Sequence, residues 1–301
     1  MSRRFCLRDW KRSEKGAKMQ IKLLYMEMNV LKLEYYGTEP VCDGVTRIHC
    51  AAGELCYLVE GTERAVLIDT GSGYRGLDET VRAITSRPVD VILTHGHRDH
   101  AGGIVQFERV YADMADRELL DMLADDEFRR GYPTSLKPKV FRGLGAEEFP
   151  RTHEPKLIPV ADCDVMELGG DELEIWETPG HTAGSICILD RGRRLLFAGD
   201  TVIDCALLVF EQSCSVETYM KSLERIESHA AEYDAMYCAH FDGIVPSGGI
   251  DSLLECCGDI LAGRDEHVPA KMFRRSCFAA RKPALIPTWR ADGKWGNVFY
   301  K

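Results

Sequence analysis

No stretch of eighteen or more apolar residues occurs in the 301 residues, so nothing in the sequence reads as a membrane-spanning helix. A basic surplus is missing too. Lys and Arg number 38 against 48 Asp and Glu, a net charge of −10, and such a chain is poorly suited to gripping nucleic acid. The twelve cysteines never fall in a C-x-x-C pair and no secretory leader is recognisable, which argues against a disulfide scaffold. They read instead as reduced, mostly buried thiols of a cytoplasmic protein. Hydrophobic residues make up 45% of the chain, enough for a sizeable core, and this excludes global disorder.

What is present is concentrated in Leu93-Thr94-His95-Gly96-His97-Arg98-Asp99-His100-Ala101-Gly102-Gly103. Val89 to Leu93 reads as a short buried strand, so the imidazoles follow a rigid element. His95 and His97 are two apart and face the same side in extended backbone, as two ligands of one metal would. Asp99 and His100 come after the chain turns and are placed to face a second metal. Further candidates lie on either side of it: Ile68-Asp69-Thr70-Gly71 upstream, and Thr178-Pro179-Gly180-His181-Thr182-Ala183-Gly184, Phe197-Ala198-Gly199-Asp200-Thr201 and Ala239-His240 downstream.

His95-x-His97-x-Asp99-His100, preceded by the first of these segments and followed by the other three in order, resembles the metallo-β-lactamase fold superfamily. Within it the pattern is most similar to glyoxalase II and its thioesterase and lactonase relatives. The resemblance implies a four-layer αββα sandwich of two mixed sheets covered by helices, with a dinuclear metal site at one edge. It implies that His95, His97 and His181 bind one metal and that Asp99, His100 and His240 bind the other. Asp200 would bridge both, and Asp69 would support a ligand from behind by hydrogen bonding. Nitrogen and oxygen donors without thiolate suit two Zn²⁺, with Fe or Mn as alternatives.

The implied activity is metal-dependent hydrolysis of a small ester, thioester or lactone. A hydroxide held between the metals would be the nucleophile and Asp99 the proton acceptor. A carboxylate at Asp200 argues against true β-lactamase activity. The rivals are a phosphodiesterase of the same fold, which would want basic side chains at the site, and an iron-dependent, persulfide dioxygenase-like oxidoreductase. A binding protein that has lost catalysis fits less well, because all seven implied ligands are in place. The expected partner is a small-molecule substrate, with neither nucleic acid nor membrane.

Residues 1–18 are basic and read as a disordered tail, or as lying upstream of a true start at Met19. Residues 19–265 are expected to form the metallo-β-lactamase-like domain and 266–301 a C-terminal extension packed on it. The last segment is too short for the helical domain of a typical glyoxalase II. Leu55 to Glu60 and Ala65 to Asp69 form a hairpin, and so do Ser185 to Asp190 and Arg194 to Ala198. Leu77, Val81 and Ile84 mark one helix, and Val216 to Ile226, capped by Ser215, another. Segment 113–160 holds a helix around Leu119, Leu120 and Leu123. Gly131-Tyr132-Pro133 and later Gly and Pro residues then mark it as an irregular insertion, a lid or substrate-binding segment. Tyr74 and Tyr219 are candidates to reach a substrate, and Arg98 to be solvated or salt-bridged. Ala206 to Phe210 reads equally as an apolar wall for the substrate or as core strand.

Overall fold

The computed structural model describes residues 35–136, 144–284 and 290–301. The basic segment 1–18 and the expected start of the domain at Met19 lie outside them. Seven strands form the first sheet in sequence order: β1 (Tyr36–Cys42), β2 (Val45–Cys50), β3 (Leu55–Glu60), β4 (Ala65–Ile68), β5 (Val89–Ile92), β6 (Arg109–Ala112) and β7 (Lys156–Pro159). β1 to β4 run antiparallel, whereas β4 to β7 are parallel. The second sheet contains β8 (Val165–Glu167), β9 (Glu172–Glu177), β10 (Ile186–Asp190), β11 (Leu195–Gly199) and, parallel to β11, the strand Ala235–Cys238.

Alternation explains why these strands read as continuous apolar runs. In β3, Leu55, Tyr57 and Val59 point into the core between the two sheets, while Cys56 and Leu58 point to the outer face. β10 does the same, with Ile186 and Ile188 inward and Cys187 and Leu189 outward. Helix α1 (Leu77–Ile84) buries Leu77 and Val81 on the outer face of the first sheet. The outer face of the second sheet is covered by Val216–Ser228 and Gly249–Leu261. Together these make the four layers that the resemblance implied. Ser215 caps the first of those two helices, accepting a hydrogen bond from the Thr218 amide.

A third sheet was not foreseen. β12 (Cys205–Leu208), β14 (Val268–Met272), β15 (Arg275–Ala279) and β16 (Asn297–Tyr300) form it in the order β12-β16-β15-β14, Ala235–Cys238 being β13. β12 pairs in parallel with β16, Cys205 opposite Asn297. The C-terminal extension is therefore joined by backbone hydrogen bonds to the stretch that follows Asp200.

The described residues of segment 113–160 are more regular than its Gly and Pro residues suggest. After α2 (Arg98–Ala101) and β6 come α3 (Arg117–Met122) and α4 (Asp126–Leu136), and β7 closes the first sheet. α4 continues through Gly131 and Pro133, which the sequence had marked as irregular. It is anchored at its start, where the Glu127 amide donates to Asp125 Oδ1 and the buried Arg129 guanidinium donates to the Phe149 carbonyl.

Candidate metal centre

The functional side chains stand just beyond the C-terminal ends of strands. Asp69 follows β4, His95 to His100 follow β5, His181 follows β9, Asp200 follows β11 and His240 follows β13. Because β4 and β5 are parallel, as are β11 and β13, these ends lie at one edge of the sandwich. The junction is tight at Gly199, whose φ is +52°. A Cβ there would lie 2.6 Å from Thr94, so glycine lets the two loops meet.

The structure brings all seven residues implied as ligands together. His97 Nδ1 lies 3.1 Å from His95 Nε2 and 2.9 Å from His181 Nε2. On the other side His100 Nε2 lies 3.3 Å from His240 Nε2, and Asp99 Oδ2 lies 3.7 Å from His240 and 4.0 Å from His100. Donors at 2.0–2.1 Å around a tetrahedral ion stand about 3.4 Å apart, so this spacing suits a metal. Asp200 stands between the groups: Oδ2 is 3.6 Å from His181 Nε2, and Oδ1 is 3.6 and 3.4 Å from Nε2 of His100 and His240. His95, His100 and Asp200 form a third overlapping set of mutually close donors.

Hydrogen bonds from behind aim these rings. The Nδ1–H of His100 donates to Asp69 Oδ2 at 2.8 Å, which leaves Nε2 free to face the centre. Asp69 is itself held by the amide and hydroxyl of Thr94, both at 2.8 Å. The Nδ1–H of His181 donates to the Leu207 carbonyl at 2.9 Å, and that of His95 faces Thr94 Oγ1 at 3.2 Å. His97 Nδ1 thus lies between two nitrogen lone pairs. A single proton on it cannot serve both well, whereas a cation among the three would. Oδ1 of Asp200 is buried without a hydrogen-bond donor among the described residues, a second polar atom that a cation would satisfy.

Burial and charge divide the histidines. Burial, reinforced by neighbouring imidazoles, lowers the pKa of His95, and it pushes His97 down to about 3. Burial also keeps His181 below its ordinary value. For His100 burial acts in the same direction but is outweighed by Asp200, Asp69 and Asp99, and its pKa is raised. His240 is likewise raised, by Asp200 against burial. Burial opposes charge on Asp200, yet His240 and His100 hold its carboxyl well below the usual carboxylate range. The centre therefore sets the neutral imidazoles of His95, His97 and His181 and the proton-holding His100 and His240 around an ionised Asp200, a donor set whose nitrogens and carboxylate suit a divalent cation once those two protons leave.

The structure bears on three further readings, and overturns the first. Tyr74 and Tyr219 are fully buried and face no open site: Tyr74 stacks on Tyr35 at 4.7 Å, and Tyr219 donates to the Thr201 carbonyl behind Asp200. Arg98 is not simply solvated. It donates to the Phe128 carbonyl at 2.8 Å and lies over the Phe128 ring, docking α4 against α2. Ala206 to Phe210 divides between its two readings: Cys205–Leu208 is strand, whereas Phe210 lies edge-on to His97, its ring 4.8 Å away.

Asp116 was not singled out from the sequence. It is buried in segment 113–160, where Oδ2 accepts from the Gly96 amide and the Thr182 hydroxyl, each at 2.7 Å. Oδ1 accepts from the Gly184 amide at 2.8 Å. One carboxylate thereby fastens the His95–His97 loop to the His181 loop. No local motif marks it, because its partners come from distant parts of the chain.

Comparison with known proteins places this geometry. Residues 52–240 match the family model described as the metallo-beta-lactamase superfamily. The chain is similar to the acyl-coenzyme A thioesterase MBLAC2 of Homo sapiens, 32% identical over 220 residues that cover 64% of this chain and 76% of that protein. It is also similar to the atrochrysone carboxyl ACP thioesterase nsrC of Aspergillus novofumigatus, 26% identical over 70% of this chain and 54% of that one. Among solved structures, the metallo-beta-lactamase from Pontibacter korlensis shares the fold, with a TM-score of 0.53 and 18% identity over 74% of this chain and 99% of its own.

Proposed function

The chain belongs to the metallo-beta-lactamase superfamily, and from that premise we propose that it is a dinuclear metal-dependent thioesterase acting on acyl thioesters of the coenzyme A type. The observation that carries the reading is Asp200, whose two oxygens divide between two imidazole groups, in a chain similar to proteins named as acyl-CoA and ACP thioesterases. In this proposal the likeness to glyoxalase II narrows to shared thioester chemistry, since the C-terminal extension here forms strands.

His95, His97 and His181 would hold one metal, Asp99, His100 and His240 the other, and Asp200 would touch both. Zinc suits this all-nitrogen-and-oxygen set. Bound there, two such ions would supply an acidified water and polarise the substrate carbonyl. The protein's own groups do the rest. Asp69 and the Leu207 carbonyl fix the tautomers of His100 and His181. The Asp99 carboxylate, whose Oδ2 faces His240 and His100, is the base we assign, through its other oxygen, to take the proton of the attacking water. The free thiols of the described cysteines support a cytoplasmic setting. The domain boundaries proposed are those read from the sequence, with 266–301 as an extension completing the third sheet.

Zinc-loaded protein is expected to hydrolyse acyl-CoA thioesters, and His97→Ala to lose at least about a hundredfold in kcat/KM. A protein confirmed to hold two metals per chain that turned over neither short- nor long-chain thioesters would overturn the reading.

A further inference from the structure

The β14–β15 hairpin is closed by Met272 opposite Arg275, leaving Phe273 and Arg274 as a two-residue turn. Both have positive φ, 48° and 65°. A two-residue turn with both central residues left-handed favours Asn-Gly, and a bulky aromatic is a poor local choice there. Folding of the turn therefore does not explain Phe273.

Its position does. The Phe273 ring lies 5.8 Å from that of Phe210, which stands 4.8 Å from His97 and 5.7 Å from His181, edge-on to both. The two rings make an apolar path from the metal-centre imidazoles outward to the hairpin tip. Phe273 remains 45% exposed at its end. Arg275 lies over the Phe210 ring at 5.7 Å and helps hold the tip in place.

We propose that Phe210 and Phe273 form the platform on which the acyl chain of the substrate lies, so that this C-terminal hairpin sets acyl-chain preference. The inference rests on the thioesterase reading. In a thioester the acyl chain leaves the reacting carbonyl carbon directly. Its first methylenes must lie beside whatever surface flanks the centre, and the surface beside His97 and His181 is Phe210. The thiol side of the substrate carries amides and phosphates, which an aromatic pair does not serve.

The test is the double variant Phe273→Asn/Arg274→Gly, which gives the turn the residues its backbone favours and so keeps the hairpin. Arg274→Gly alone and Phe273→Leu are the controls. Wild-type protein is expected to prefer decanoyl- over acetyl-CoA. In the double variant kcat/KM for decanoyl-CoA should fall about tenfold or more while that for acetyl-CoA stays within about twofold. Metal content should be unchanged, and both controls should retain the preference. Calorimetric binding of S-decyl- and S-methyl-CoA thioethers, which cannot be hydrolysed, should show the same pattern. A chain-length ratio that the double variant leaves unchanged overturns the proposal. If wild-type protein hydrolyses no thioester yet binds the decyl analogue more tightly through Phe273, the platform stands and the thioesterase reading falls.

Discussion

His100 and His240 are the residues through which the centre should respond to pH. Both have pKa values raised above the ordinary imidazole value of 6.5, so without metal they keep protons at a pH where a free histidine has begun to lose them. A metal needs the lone pair that such a proton occupies. Affinity should therefore be greatest at alkaline pH and fall as pH drops through the raised values, from above pH 6.5 downward. Metal binding near neutrality should release protons. Chelator competition across pH 6–8.5, with calorimetry in two buffers, checks this, and an affinity flat across that range would contradict it. These residues were legible in the sequence because each sits within a few positions of a strand end, in short segments whose order matches the family. Asp116 was not, since its three partners, Gly96, Thr182 and Gly184, come from loops on either side of a long intervening chain.

Asp116 acts at the scale of elements, as a clamp between the loop after β5 and the loop after β9. Asp116→Ala would leave two amides and a hydroxyl buried without acceptors. At about 1–3 kcal/mol for each stranded donor, with partial relief by water, the loss of stability should be ~3–5 kcal/mol. Urea denaturation measures it, together with weakened metal binding from misplaced His95 and His181. A loss under about 1 kcal/mol would show that the loops hold themselves. Elements with plain periodicity were read correctly from the sequence: the β3–β4 and β10–β11 hairpins, α1, and the Ser215-capped helix. The exceptions have physical causes. α4 runs through Gly131 and Pro133 because packing of Arg98 and Arg129 outweighs local preference. Pairing of β12 with β16 joins segments with no shared local pattern. The Phe273-Arg274 turn runs against residue preference at about 1–2 kcal/mol per residue.

For the molecule as a whole, the centre is a seam. His95 to His100 come from the first sheet, while His181, Asp200 and His240 come from the second. An ion held by both groups ties the halves of the sandwich together and stabilises the folded state by mass action, by about 4 kcal/mol per site at a thousandfold excess over Kd. Chelation should lower the melting temperature by on the order of 10 °C or more, reversibly on adding metal back. An unchanged melting temperature after verified metal removal would place the ions off the seam.

The pairing of β12 with β16 also sets a clock. During synthesis Cys205–Leu208 emerges roughly ninety residues before Asn297–Tyr300, its one neighbour in the third sheet among the described residues. At about 5–20 residues per second, that strand waits on the order of 5–20 s with an open edge beside the nascent metal loop. For that interval the growing chain carries a sticky edge and an incomplete third sheet, and the arrival of β16 covers one edge of β12 and ties it to the C-terminal hairpin.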